Sequence, residues 1–250
     1  MASITQANKK RSLSENDIDQ PPAKRVTFNP TIKTIQKDLK VDKSSRIIVI
    51  IDETGSMHSR KQATVSATKE FIESQINVKI DGEEEPSLTF VFFNLTSRTF
   101  TWDKLSKVKD SNLTDNLDSV LSSYNPDNCT ALYDTLHNVF TEFEHEENNI
   151  VAIFTDGEDN SSRKPNVKQE VKTKIENLKT NKHWQFHFLT VGLDAWSANH
   201  IGQSMGLNTQ VIDDDDDDVS TQMGNLMRSV SQNITSSRQG NNNRFNSNPQ

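Results

Sequence analysis

A run of five aliphatic residues at 47–51 constrains the fold of this chain most strongly, because it stops abruptly at oxygen-bearing side chains. A mostly β-branched run of this length predicts a strand buried on both faces. Asp52, Thr54 and Ser56 follow it, placed around Gly55. Parallel α/β sheets bind ligands at the carboxyl ends of their strands, and hard cations bind oxygen ligands of this kind. The stretch therefore predicts part of a cation site, which other loops must complete.

The composition predicts one folded domain with disordered ends. Apolar residues make up 32% of the 250-residue chain and charged residues 25%, so a single core is expected in a polar chain. We expect the domain at residues 44–236. A disordered basic arm is expected at residues 1–43, and a disordered Asn/Ser-rich tail at residues 237–250.

The sequence also predicts the cellular compartment of the protein. Cys129 is the single cysteine, which excludes an intrachain disulfide and favours a reducing compartment. The N-terminus lacks the apolar segment of a secretory signal, and no segment approaches the roughly 20 apolar residues of a membrane helix. The net charge of −7 argues against general nucleic-acid binding. We expect an intracellular protein of the cytoplasm or the nucleus, without membrane association.

Hydrophobic periodicity predicts strands that alternate with helices. Strands are expected at residues 46–51, 88–93, 98–102, 150–154, 184–191 and 209–212, and helices at residues 61–76, 108–123, 131–146, 167–178, 195–205 and 219–234. This alternation predicts a doubly wound α/β fold, in which a mostly parallel six-stranded sheet has helices on both faces. The short connection between the second and third strands predicts a hairpin, and so one antiparallel edge strand.

Two further loops offer ligands at the same edge of the predicted sheet. Thr130 lies at a helix start, and Asp156 comes directly after a buried strand. With the first loop, they supply two carboxylates and three hydroxyls, a set that suits the octahedral oxygen coordination of Mg²⁺. The alternative interpretation is helix capping, because Ser, Thr and Asp are the preferred N-cap residues.

Three motifs that follow one another along the chain carry a family resemblance. They are Asp52-x-Thr54-Gly55-Ser56, Thr130-Ala131-Leu132-Tyr133-Asp134 and Thr155-Asp156-Gly157-Glu158-Asp159. Together they resemble the von Willebrand factor type A domain, in which three such loops build the metal-ion-dependent adhesion site. The resemblance implies that Thr54, Ser56 and Thr130 bind Mg²⁺ through their hydroxyls, while Asp52 and Asp156 act directly or through water. Mn²⁺ and Ca²⁺ are alternative ions, and Thr54 departs from the Ser that is usual at its position.

The resemblance implies a binding function rather than an enzymatic one. In this family an Asp or Glu of a partner protein completes the shell of the metal ion. An alternative is a phosphoryl-transfer hydrolase with Asp52 as its nucleophile. Haloacid-dehalogenase-type phosphatases need a second Asp two positions further on, where this chain has Thr54. We therefore predict a protein-binding module that is not an enzyme.

A short segment of the arm suggests a second alternative function. Arg25-Val26-Thr27-Phe28 resembles the RVxF docking motif of protein phosphatase type one. An extended segment that adds to a sheet edge would bury Val26 and Phe28 on one face, with Arg25 beside acidic surface. The chain would then be a targeting subunit of that phosphatase. The plainer interpretation is an apolar pair that packs on the domain itself.

Basic residues of the arm resemble a bipartite nuclear-import signal. The two clusters are Lys9-Lys10-Arg11 and Lys24-Arg25, separated by a polar spacer. A solvated basic tail is the alternative interpretation.

Overall fold

A computed structural model describes residues 45–157, 159–212 and 219–246 of the chain. The predictions made on the basic arm lie outside these ranges and stay predictions. They include the docking residues Arg25, Val26 and Phe28 and the nuclear signal.

A six-stranded sheet carries the site, with its strands in the order β3-β2-β1-β4-β5-β6. The strands are β1 Arg46–Asp52, β2 Ser87–Phe93, β3 Ser97–Trp102, β4 Ile150–Thr155, β5 Gln185–Val191 and β6 Thr209–Ile212. The α-helices are α1 Lys61–Asn77, α2 Leu117–Ser122, α3 Leu132–Phe143, α4 Val167–Asn181, α5 Ala195–Ser204 and α6 Val219–Asn246. Short 3-10 helices lie at Gly55–Arg60 and Leu105–Lys109.

The pairing of the strands confirms the predicted fold class. β1 lies in the middle and pairs in parallel with both β2 and β4, while β3 pairs antiparallel with β2 at one edge. The β2–β3 hairpin is the predicted one. The remaining pairs, β4 with β5 and β5 with β6, are parallel. The chain is therefore a doubly wound α/β fold with a single antiparallel edge strand among the strands described.

β1 is central because both of its faces are apolar. Ile47, Val49 and Ile51 belong to a core cluster with residues of α1 and α6. Ile48 and Ile50 belong to a second cluster, on the opposite face, with residues of α3 and α4. Successive side chains of a strand point to opposite faces, so one apolar run can fill both layers. This burial fixes the carboxyl end of β1, and Asp52 with it, at one edge of the sheet.

The helix predicted at residues 108–123 is wrong. The structure has the second 3-10 helix, a turn and the short helix α2 in its place. Asp110 Oδ1 accepts a hydrogen bond from the backbone of Asn112, and the side chain of Asn116 caps α2 by accepting from Ser119. Side chains of Asp and Asn that bond to nearby backbone compete with helical hydrogen bonds, which explains the break.

The last helix runs further than predicted. α6 extends from Val219 to Asn246, whereas the periodicity predicted an end at residue 234. Arg238 is buried in this extension. The predicted domain bounds stay a prediction. Neither α6 nor another described helix combines the length and apolar character needed to cross a membrane.

Candidate metal centre

Three loops meet at the carboxyl edge of β1 and β4. The first loop follows β1, the second precedes α3 and the third follows β4. The backbone N–H of Gly55 in the first loop donates to the carbonyl of Asn128 in the second, at 3.0 Å. The N–H groups of Asn160 and Ser161 in the third loop donate to the carbonyl of Thr130, at 3.0 and 2.9 Å. The backbone therefore holds the predicted loops against one another.

Asp52 lies at the bottom of the site and is fully buried. Its Oδ1 accepts a hydrogen bond from the backbone N–H of Thr54, at 2.8 Å. Its Oδ2 accepts from the hydroxyl of Thr155, at 2.5 Å. Asp52 thus joins the end of β1 to the end of β4, and its carboxylate has a fixed orientation.

Thr54, Ser56 and Asp156 form a continuous line of oxygen atoms. The hydroxyl oxygens of Thr54 and Ser56 are 3.2 Å apart. The hydroxyl of Ser56 donates to Asp156 Oδ1, at 2.7 Å. The first and third loops are separated by a hundred residues of sequence. The structure thus brings together four of the five predicted site residues through named hydrogen bonds.

Thr130, the fifth predicted residue, joins this group through the third loop. Its backbone N–H donates to the side chain of Asn160, at 2.9 Å. A Cβ placed on Gly157 would lie 3.6 Å from the Thr130 hydroxyl oxygen, so this hydroxyl faces the residue that follows Asp156. Thr130 is itself buried.

The pKa values of the two carboxyl groups in the site are raised. Burial raises the pKa of Asp52 to about 6, and the neighbouring charge of Asp156 adds to the effect, against the hydrogen bonds from Thr155 and Thr54. Burial also raises the pKa of Asp156, although Ser56 and Arg60 oppose the shift. Loss of hydration disfavours the charged form of a carboxyl group, and a second negative charge nearby adds to that cost. Additional positive charge at this point would relieve both effects.

Arg60 supplies some of that charge, and sequence reasoning missed it. It ends the 3-10 helix Gly55–Arg60, and its Nη1 lies 2.9 Å from Asp156 Oδ2. The same nitrogen donates to the carbonyl of Ser56, at 3.3 Å. Arg60 lies four residues after Ser56, a spacing at which helical side chains are neighbours, and that spacing is the signal that could have pointed to it.

Two other supporting groups were missed. Thr155, whose hydroxyl holds Asp52, is the last residue of β4, where a polar residue ends a buried strand. Glu53 holds the first loop from its other side. Its Oε1 accepts from Arg98 of β3 and from the backbone of Asn125, each at 2.6 Å. Both residues could have been suspected because they lie beside Asp156 and Asp52 in the sequence.

The donor set fits a small hard cation. Hydroxyl and carboxylate oxygens are the ligands that Mg²⁺ prefers, and their neighbours hold them in place. Within the described residues, no group of three or more His, Cys, Asp or Glu side chains gathers as a metal cluster. A Mg²⁺ site here would therefore rest on two carboxylates, Asp52 and Asp156, together with the hydroxyls of Thr54, Ser56 and Thr130.

Comparison with known proteins gives likeness in structure but not in sequence. No protein-family model matches the chain, and no curated protein matches it. A von Willebrand factor type A protein from Catenulispora acidiphila superposes with a TM-score of 0.55 at 14% identity, over 76% of this chain and 42% of that one. The von Willebrand factor domain of the type V pili tip protein Mfa5 from Porphyromonas gingivalis gives 0.52 at 9% identity, over 78% and 97%.

The PilB minor pilin from Streptococcus sanguinis is a further neighbour. It gives a TM-score of 0.54 at 12% identity, over 83% of this chain and 64% of the pilin. The chain thus matches less than half of the Catenulispora protein and about two thirds of the pilin. At identities this low the likeness shows the fold alone. The strand order, the helices on both faces and these neighbours together show that the chain has a von Willebrand factor type A fold.

Proposed function

We propose that this chain is a metal-dependent protein-binding module. The metal, Mg²⁺ or alternatively Mn²⁺ or Ca²⁺, would be held by Asp52, Thr54, Ser56, Thr130 and Asp156. The hydrogen bond of 2.7 Å between Ser56 and Asp156 carries the proposal, because it brings ligands of the first and third loops together. When bound, the ion would supply an electrophilic centre with an open position for a carboxylate of a partner protein.

The charges around the site favour an acidic partner. The carboxylates of Asp52 and Asp156 would balance the two charges of the ion. Arg60, at 2.9 Å from Asp156, adds one further positive charge beside them. A positive site at the end of a sheet attracts an Asp or Glu side chain and disfavours a basic one.

The contacts of Asp52 favour this role over phosphoryl transfer. A nucleophilic carboxylate must present an oxygen to the phosphorus atom. Both oxygens of Asp52 are engaged, by Thr54 and Thr155, and its side chain is fully buried. We therefore propose that Asp52 organises the site and does not attack a substrate.

Replacing Asp52 by Asn is expected to weaken Mg²⁺ binding by more than roughly tenfold, because the site loses one of its two negative charges. Asn has the same shape and can still accept from Thr54. Calorimetric titration of the full chain with MgCl₂ measures the loss. Affinity capture from cell extract, in Mg²⁺ and in EDTA, then shows which proteins depend on both the metal and Asp52.

Asp118→Asn is the matched control, because it removes the same charge from an exposed residue that pairs with Lys69. This variant should bind Mg²⁺ and partners like the wild type. Mg²⁺ binding that is equal in Asp52→Asn and wild type would contradict the proposed site. Partners captured equally in Mg²⁺ and in EDTA would contradict the metal-dependent mechanism.

A further inference from the structure

The two oxygens of the Asp156 carboxylate have different neighbours. Oδ1 accepts from the hydroxyl of Ser56, at 2.7 Å, and so faces the line of oxygen atoms of the site. Oδ2 lies 2.9 Å from Nη1 of Arg60. The side chain of Asp156 is 1% exposed and that of Arg60 is 15% exposed, so this ion pair is shielded from water. Shielding makes the pair stronger than one at the surface.

Arg60 makes a second contact through the same nitrogen. Its Nη1 donates to the carbonyl of Ser56, at 3.3 Å, within the 3-10 helix that both residues share. Nη1 of Arg60 thus engages Oδ2 of Asp156, while Oδ1 accepts from the hydroxyl of Ser56. Asp156 therefore presents one oxygen to the site.

Asp52 is restricted in a similar way. The backbone of Thr54 bonds to its Oδ1 and the hydroxyl of Thr155 bonds to its Oδ2. Neither carboxylate of the site can therefore offer both of its oxygens freely to a metal ion. This restriction disfavours Ca²⁺ relative to Mg²⁺. Ca²⁺ takes six to eight ligands and often binds a carboxylate through both oxygens. Mg²⁺ takes six ligands in a tight octahedron and commonly keeps several waters.

We propose that Arg60 is a specificity-determining residue, which favours Mg²⁺ over Ca²⁺ by holding Asp156 to a single ligand oxygen. The inference rests on the proposed metal-binding function and names the residue that selects the ion. Arg60 acts through Asp156 and does not itself bind the metal. Removal of the Arg60 side chain frees the second oxygen of Asp156. Ca²⁺ can bind this oxygen as an additional ligand, whereas Mg²⁺ binding improves less.

The test compares the affinities of the full chain for MgCl₂ and CaCl₂ by calorimetry. Arg60→Met should lower the preference for Mg²⁺ over Ca²⁺ by roughly tenfold, mainly through tighter Ca²⁺ binding. Arg60→Lys keeps a charged donor at this position, so its preference should stay within about threefold of the wild type. Arg228→Met is the matched control, since it removes an arginine that pairs with Glu70 at the surface. Its preference should not change.

Circular dichroism and thermal unfolding show whether each variant is folded. If Arg60→Met does not fold, Arg60→Gln removes the charge with a polar side chain and gives the same comparison. An unchanged Mg²⁺ to Ca²⁺ preference in the folded Met or Gln variant would overturn the role of Arg60 and leave the metal site standing. A wild-type chain that binds neither ion would overturn the proposed function, and this inference with it.

Discussion

Replacement of Arg238 by Met is expected to lower the free energy of unfolding by about 3–5 kcal/mol, because Glu83 would stay buried without a counter-charge. Arg238 Nε and Nη2 lie 3.0 and 2.9 Å from the two oxygens of Glu83. The side chains are 2% and 8% exposed. Nη1 also donates to the side chain of Gln75 at the end of α1, at 3.1 Å. The guanidinium therefore connects α6, α1 and the segment before β2.

Equilibrium unfolding in urea measures this effect through the shift of the midpoint. Arg228→Met is the matched control on the same helix, and it should cost at most about 1 kcal/mol because its pair with Glu70 is exposed. The double variant Arg238→Met with Glu83→Leu should recover most of the loss, since it removes both charges. A single variant within about 1 kcal/mol of the wild type would show that Glu83 is not held by Arg238 alone.

Lowering the pH from about 6 to about 4 is expected to stabilise the metal-free protein through Asp52. Burial raises the pKa of this group in the folded chain from its usual 3.8 to about 6. Between these values the folded protein binds a proton that the unfolded chain does not hold, so stability falls as the pH rises through this window. The complete effect of a shift of this size is about 3 kcal/mol.

Asp52→Asn isolates this effect from the other titrating groups. The variant has no proton to bind at this position, so in EDTA at pH 7 it should be more stable than the wild type. The difference should shrink as the pH approaches 4. Chemical unfolding of both proteins at several pH values provides the measurement. A difference that is constant with pH would contradict the shifted pKa. At a Mg²⁺ concentration that saturates the wild type at pH 7, the ion should stabilise the wild type more than the variant, because the variant binds it more weakly.

The helices and strands that could be predicted are those whose buried residues recur with a regular local spacing. The apolar run at residues 47–51 had to be an inner strand, and the short link between β2 and β3 had to be a hairpin. The prediction of a helix at residues 108–123 was wrong because the side chains of Asp110 and Asn116 bond to nearby backbone. Hydrophobic periodicity contains no information on such bonds. The extension of α6 past residue 234 was not predicted, because Arg238 in it is held by a buried ion pair with the distant Glu83.

Some residues of the candidate site could likewise be predicted from the sequence, and others could not. Asp52, Thr54 and Ser56 could be found because they end a recognisable strand, and Thr130 and Asp156 because each lies beside another buried element. The spacing from Ser56 could have placed Arg60 near the first loop, but its contact with Asp156 spans 96 residues and leaves no local pattern. Thr155 was likewise missed, although it lies next to Asp156, since its partner Asp52 is 103 residues away.

The pattern of residues alone predicted which strands are buried, and that their carboxyl ends carry hydroxyl and carboxylate oxygens. It did so because alternation and strand ends are local properties of the chain. The assembled sheet places β1 between β2 and β4, and it brings the oxygens of two distant loops within hydrogen-bonding distance. It also places Nη1 of Arg60 2.9 Å from Oδ2 of Asp156. Long-range contacts decide these features, because no local pattern of residues records which side chains meet when the sheet is assembled.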